Sequence, residues 1–573
     1  MRNPIWISCQ LACGICIFIL ASNAQAQLSA TELDRLIAGD PSNSDAFGWS
    51  VDVDGDRAVI GAPKDDAEGI GANTGSAYVF VRNPQTGEWV QEDKLVMQGQ
   101  AAGDEFGTSV AISGDTIVVG APQDDATTGS WLHGSAHVFT LEEGNWDSGV
   151  ELLTDTPDTS ETQYGNYGIS VDIDGDTLVV GVAYDSEQGA ASGSSFVFER
   201  TGQTWSEVQK LLPGAGADQN FGWSVGIDQM TIIVGAPHWT SSGVGEAYVH
   251  TRSSGVWPVN GTQLLPADNL ATDNFGWSVA IAGDQAVVGA RFDDDAINGQ
   301  DAGSITIFER SSGIWSNGSK LTASSGEAND QFGFDVATNG EAVMVGAIQN
   351  GSFNRGSVYL FSDPGSGWTE DDILFPVANI ANVSAIVHFG SGVAVDLGTM
   401  VVGARNSDVA DGMGGFKFGA GAAFVYGVNT TAISSATGAD QIVIQAPVGS
   451  YLSDVGALDP ESLGALPPDT SFPLGAVGFQ VNGLTPGAAI EVELLFPDSV
   501  MPSSYYKFSD HWYEFLDDGS TGAVITPGKI TLKLVDGGRG DHDGLVNGVI
   551  VDPGAPSETQ VSEELFDDGF EDL

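Results

Sequence analysis

An all-β fold, a seven-bladed β-propeller closed by an N-terminal strand and followed by a small β-sandwich-like domain, is predicted by three observations. An aromatic-Gly pair recurs along the chain. Each pair is followed at a fixed distance by a Gly-Ala-Pro-like element. Glycine is abundant, 77 of 573 residues, about twice the usual ~7%. Self-similarity at a steady period marks a repeat architecture, and glycine among short alternating apolar runs marks many turns between short strands.

The chain opens with Arg2, an apolar run through Ile17-Phe18-Ile19-Leu20 and the small-residue site Ala24-Gln25-Ala26. This pattern predicts a secretory signal peptide over residues 1–26 and an exported mature chain. Cys9, Cys13 and Cys16 all lie in that leader, so the mature chain is expected to have neither disulfide nor thiol chemistry. The formal net charge is −58. Such a surface repels nucleic acid and anionic membranes, which excludes both as partners.

The repeats, assigned to residues 27–428, begin at Phe47, Phe106, Tyr167, Phe221, Phe275, Phe332 and Phe389, spaced by 54 to 61 residues. Fourteen residues after each aromatic stands a glycine: Gly61, Gly120, Gly181, Gly235, Gly289, Gly346 and Gly403. Runs such as SVDVD and RAVIGA flank a Gly-Asp turn and read as a hairpin. A third strand follows, as in GSAYVF (75–80), and a fourth starts near Trp89, Trp146, Trp205, Trp257, Trp315 or Trp368. The recurrence of these tryptophans at one register predicts packing between sheets.

The seventh copy lacks a fourth strand. Arg35-Leu36 precedes Phe47 by the interval at which Lys94-Leu95 precedes Phe106, so an N-terminal strand is expected to complete the last sheet and close the ring, leaving no open edge.

This pattern resembles the FG-GAP repeat family, which includes the propeller of integrin α-subunits and many bacterial exported proteins. Calcium-binding members carry Asp-x-Asp-x-Asp-Gly-x-x-Asp in the first hairpin. Here Asp52, Asp54 and Asp56 match its first three ligands, but Arg57 replaces the glycine and the last acid is missing; Asp172-Ile173-Asp174-Gly175-Asp176 is truncated likewise. Calcium takes six to eight oxygens, so these stretches are read as turns. The acidic loops Asp65-Asp66, Asp104-Glu105, Asp124-Asp125 and Asp293-Asp294-Asp295 are read as a solvated rim on the opposite face. The resemblance implies that ligands bind on that face. Trp131 and Trp239 sit in its loops outside the strand register and are the candidate ligand contacts.

Beyond a Ser/Thr/Ala-rich link, alternating runs at 487–496 and 529–536 predict a β-domain over 429–556. Its segment LVDGGRGDHDGLVNGVIVDPG (534–554) resembles the bacterial choice-of-anchor U domain, which implies the cell exterior. Asp536, Asp541, Asp543, Asn547 and Asp552 place oxygen ligands at short intervals and are the candidate calcium site. Arg539-Gly540-Asp541 spells an adhesion tripeptide but is read as part of this loop. Residues 557–573 form an acidic tail, too polar to span a membrane.

Neither a nucleophile elbow, a phosphate loop nor a Cys-His pair appears. The expectation is therefore a non-enzymatic secreted or surface-associated protein that uses propeller loops to recognise a protein or glycan. The alternatives are a secreted hydrolase or lyase, or a structural envelope component.

Overall fold

The computed structural model describes residues 29–559 except 68, 84–87, 125–133, 153–164, 215–217, 239–243, 267, 269, 351–354, 364–366, 377–386, 397, 412–414, 435–440, 448–449, 468–469, 473, 483, 485–486, 497–501, 509–510, 527–528, 540, 543–544 and 546–548. The leader at 1–26 and residues 560–573 of the tail lie outside the described residues, whereas 557–559, read from the sequence as the start of that tail, continue the strand Ile550–Thr559 and pair with its neighbours.

Among the described residues, seven antiparallel sheets follow one another along the repeats. In the first, Val51–Asp54, Arg57–Ala62, Ser76–Arg82 and Trp89–Leu95 pair in chain order. The second strand of each sheet is almost wholly buried, as in Thr116–Ala121 and Thr399–Ala404. Its alternate side chains enter two different cores. Ile60 packs with Val401 and Val425 of the last sheet, whereas Val59 packs with Ile117 and Val119 of the next. Burial on both faces explains why these strands are continuous apolar runs rather than alternating ones.

The seventh sheet comprises Phe389–Asp396, Thr399–Ala404 and Ala422–Ser434. Its outer partner is the N-terminal strand Ser29–Leu36, with Arg35 opposite Phe424 and Leu36 opposite Ala423. The Arg35-Leu36 interval thus marks the strand that completes this sheet.

The tryptophans at the start of the fourth strands do bridge sheets. The indole N–H of Trp146, Trp257 and Trp368 donates to Glu92, Glu199 and Glu309 of the preceding sheet, at 3.1, 3.2 and 3.3 Å.

Asn429–Ser434, read from composition as a link, instead continues the last strand of the seventh sheet. Thr430–Ser434 pairs with Gln445–Gln441, and Ala489–Leu495, Lys529–Val535 and Gly522–Thr526 extend the same sheet. A second sheet contains Tyr451–Leu458, Ala476–Asn482, Ile550–Thr559, Ser504–Phe508 and Trp512–Glu514. Ile444, Val492 and Leu532 from one sheet share a core with Val481, Tyr505 and Ile550 from the other. Among the described residues, no helix is long and apolar enough to cross a membrane.

Candidate functional site

The aromatic-Gly pair determines what faces the centre. The residue before each aromatic is left-handed in all seven copies, with φ between 53° and 59° (Ala46, Glu105, Asn166, Asn220, Asn274, Gln331, His388). The glycine after it has φ between 85° and 91°. A non-glycine residue resists that second conformation. The two turns together drive the aromatic ring into the core, where Phe47, Phe106 and Phe221 are fully buried. Each such ring contributes about 2–3 kcal/mol of burial.

The chain then enters the innermost strand, and the next residue faces a central cavity of about 400 Å³. Around the ring these residues are Trp49, Thr108, Ile169, Trp223, Trp277, Phe334 and Ser391. One position on, Ser50, Ser109, Ser170, Ser224 and Ser278 each donate a hydroxyl to the Phe-Gly or Tyr-Gly carbonyl of the following sheet, at 2.9–3.1 Å. In the seventh sheet Gly392 holds that position, and Ser391, one residue earlier, donates to the Gly48 carbonyl of the first sheet at 2.9 Å, joining last to first.

Three carboxyl groups sit deeper. Asp52 accepts from the amides of Val53 (2.9 Å) and Ile112 (2.7 Å). Asp172 accepts from Ile173 (2.9 Å) and Ile227 (2.7 Å). Asp335 accepts from Val393 at 2.8 Å. Burial pushes Asp172 and Asp335 up to about 7, and burial reinforced by Asp172 pushes Asp52 well above the carboxylate range.

Above them stands a cationic and aromatic arc. Trp223 and Trp277 rings lie 4.9 Å apart, and Trp277 and Phe334 6.0 Å. The Arg291 guanidinium lies 3.2 Å from the Trp277 centroid, 4.2 Å from that of Phe292 and 5.7 Å from that of Phe334. Arg405 lies 4.3 Å from Trp49 and 5.3 Å from Phe334, and Lys64 lies 5.7 Å from Trp49. Such cation–π contacts supply about 0.5–2 kcal/mol each.

Among the described residues, no carboxylate forms an ion pair with Arg291 or Arg405, and the buried Arg291 Nε has no hydrogen-bond acceptor. Burial, then the repulsion of Arg405, lowers Arg291 to about 9, and burial lowers Arg405 to about 10. Both stay cationic at neutral pH. Burial and Arg405 hold His388 down at about 4, so its unprotonated Nδ1 accepts from Arg405 Nε at 3.4 Å and from the Asn406 amide at 3.1 Å.

Sequence reasoning missed this arc. The signal was present: Arg291 and Arg405 each replace the proline of Gly-Ala-Pro, in Gly-Ala-Arg-Phe and Gly-Ala-Arg-Asn.

The acidic loops are less solvated than their composition suggests. Lys94 bridges Asp40 and Asp65 at 2.6 and 2.7 Å, Lys210 bridges Asp185 and Glu187 at 2.6 and 2.7 Å, and Lys320 bridges Asp268 and Asp293 at 2.8 and 2.5 Å. Asp65, Asp185 and Asp293 are all buried. Asp104 is buried too and accepts from the Ala101 amide.

The Gly55-Asp56 and Gly175-Asp176 pairs close two-residue hairpins, with both glycines at φ 55°. Asp176 pairs with Arg200 at 2.7 Å and Asp56 pairs with Arg82. The remaining acids of these stretches reach the next sheet: Asp54 accepts from Gly114 and Asp174 from Gln229.

Trp131 and Trp239 lie outside the described residues, as do Asp543 and Asn547 of the candidate calcium loop. The other three loop residues are each engaged within the protein. Asp536 accepts from Gly487 at 2.6 Å, and Asp541 accepts from Gly537 at 2.8 Å and Val551 at 3.1 Å. Asp552 faces Lys507. Among the described residues, no group of three or more His, Cys, Asp or Glu is arranged to hold a metal ion.

A family model described as the FG-GAP repeat matches residues 30–80, 89–139, 159–198, 205–250, 260–308 and 315–361. Most of these segments start at or near a fourth strand, and each ends in the third strand of the following sheet. The repeat unit is therefore offset by one strand from the sheet. A search of curated proteins finds no match. The chain carries six consecutive FG-GAP repeats, and their four-stranded antiparallel sheets are those of a β-propeller.

Proposed function

We infer that the chain is a secreted or surface-associated binding protein: a seven-bladed propeller with a choice-of-anchor U-like C-terminal domain. Its ligand is a glycan or protein that presents a carboxylate at the mouth of the central cavity. The observation that carries this reading is the pair of guanidinium groups, Arg291 and Arg405, in a chain of net charge −58. Both pack on aromatic faces with no carboxylate paired to either among the described residues.

Two neighbouring half-buried cations repel each other, and an incoming carboxylate relieves that repulsion. Guanidinium binds carboxylate in a planar, two-pronged geometry, and Trp49, Trp277 and Phe334 offer flat faces for the apolar side of a sugar ring or side chain. The deeper carboxyls Asp52 and Asp172 commit both oxygens to backbone amides, which favours binding over acid–base catalysis.

The test uses the full chain and polygalacturonate, with neutral dextran as the control, by calorimetric titration. Binding of the acidic polymer alone is expected, weakened at least tenfold in the Arg291→Gln, Arg405→Gln double variant. Equal binding of both polymers, or an unchanged affinity in the variant, removes the arginine pair from recognition.

A further inference from the structure

The buried charge in the C-terminal sheets is independent of the cavity. Lys507 and Asp552 lie on neighbouring antiparallel strands. Lys507 is opposite Gly554, so Asp552 is its diagonal neighbour two residues away. The two side chains are 2% and 0% exposed, and Nζ lies 2.9 Å from Oδ2. Oδ2 nevertheless receives no hydrogen bond of proper geometry. The fully buried Tyr505 hydroxyl lies 3.5 Å from Oδ1, and the Phe515 ring centroid 5.0 Å from Nζ.

An ammonium–carboxylate pair at this depth is an expensive arrangement, since each ion forfeits several kcal/mol of hydration. Transfer of one proton from Nζ to Oδ2 across 2.9 Å gives the uncharged amine and the uncharged acid, the forms that can condense. Two hydrogen-bonded strands hold them in contact, and such fixed pairs react with effective molarities of about 10⁵–10⁸ M. Condensation removes both buried charges.

We propose that Lys507 and Asp552 are joined by an amide bond that the folded protein forms unaided. The Nζ lone pair attacks Cγ and a C–N bond forms. The C–O bond to one carboxyl oxygen then breaks, and that oxygen leaves as water with the acid proton and one amine proton. Neither oxidant nor cofactor is needed. The Tyr505 hydroxyl faces Oδ1, where negative charge develops during attack. The result is a covalent tie between Ser504–Phe508 and Ile550–Thr559.

The full chain is purified, denatured in urea and digested with trypsin, and the peptides are weighed. Trypsin should fail to cut after Lys507. A branched peptide should join the Lys507 segment to the Asp552 segment and weigh one water less than the two together. Cleavage after Lys507 with both peptides at full mass overturns the proposal. So does loss of water confined to a linear peptide, the signature of aspartyl-glycine dehydration at a site such as Asp54-Gly55. The wild-type digest decides the matter alone, so no variant has to fold.

Discussion

Gly403→Ala tests how the ring closes. A Cβ at Gly403 would stand 2.1 Å from the Gly48 carbonyl oxygen and 3.0 Å from its carbon. That is about 1.3 Å short of the 3.4 Å at which ordinary contact begins. Both partners are backbone, so relief requires the first and seventh sheets to separate. Forced overpacking costs about 1–3 kcal/mol. The separation also stretches the 2.9 Å bond from Ser391 to Gly48, a further ~1 kcal/mol. Gly55→Ala is the control. Nothing lies within 4 Å of its added Cβ, and only its φ of 55° is penalised, by about 1–2 kcal/mol. At about 2.1 cal/mol/K per residue over roughly 400 cooperative residues, the summed loss of about 2–4 kcal/mol lowers the calorimetric transition by about 2–5 °C, and the control's loss lowers it by about 1–2 °C. A Gly403→Ala transition no lower than that of Gly55→Ala would show that the sheets do not meet at these glycines.

Two further outcomes follow from buried charge. Lys210→Met strands the Asp185 carboxylate, which is 0% exposed and paired at 2.6 Å; the loss expected is about 3–5 kcal/mol in denaturant unfolding. Loss of the more exposed Arg57–Glu92 pair should cost under about 1 kcal/mol, and equal costs would contradict this reading. Asp172 and Asp335 have folded values of about 7 against about 3.9 unfolded. The native state therefore holds protons that the unfolded chain releases. Their contribution is complete below about pH 4 and is lost as pH rises through 7, on the order of 4 kcal/mol for each. The Asp172→Asn, Asp335→Asn double variant should flatten stability across that window, and an unchanged slope would refute the assignment.

The parts of the molecule governed by period were readable in the sequence. The aromatic-Gly spacing located the sheets, and the Arg35-Leu36 interval located the strand that completes the seventh. Features that depend on partners distant in the chain were not. Asp65 and Asp293 look like solvated loop acids until Lys94 and Lys320, brought back by the fourth strand, are seen beside them. The left-handed residue before each aromatic is signalled by Asn166, Asn220, Asn274 and His388, residue types enriched in this conformation, but Ala46, Glu105 and Gln331 conceal it. Arg291 and Arg405 are informative because they depart from the repeat, standing where Gly-Ala-Pro has proline, and periodicity carries no signal for such departures. Strand continuity through Asn429–Ser434 is likewise invisible to composition, since a polar Ser/Thr stretch reads equally well as a tether.

That continuous strand also sets how force would travel. Ala422–Ser434 hydrogen-bonds to Thr399–Ala404 on one side, to Ser29–Leu36 on the other and, farther along, to Gln441–Gln445. Tension applied through the C-terminal sheets enters this strand along its length. It therefore loads both flanking ladders in shear, where many hydrogen bonds must fail together rather than one after another. Among the described residues, Ser29–Leu36 is held in the seventh sheet by its one ladder with Ala422–Ser434, so the strength of that ladder sets the load at which this sheet opens.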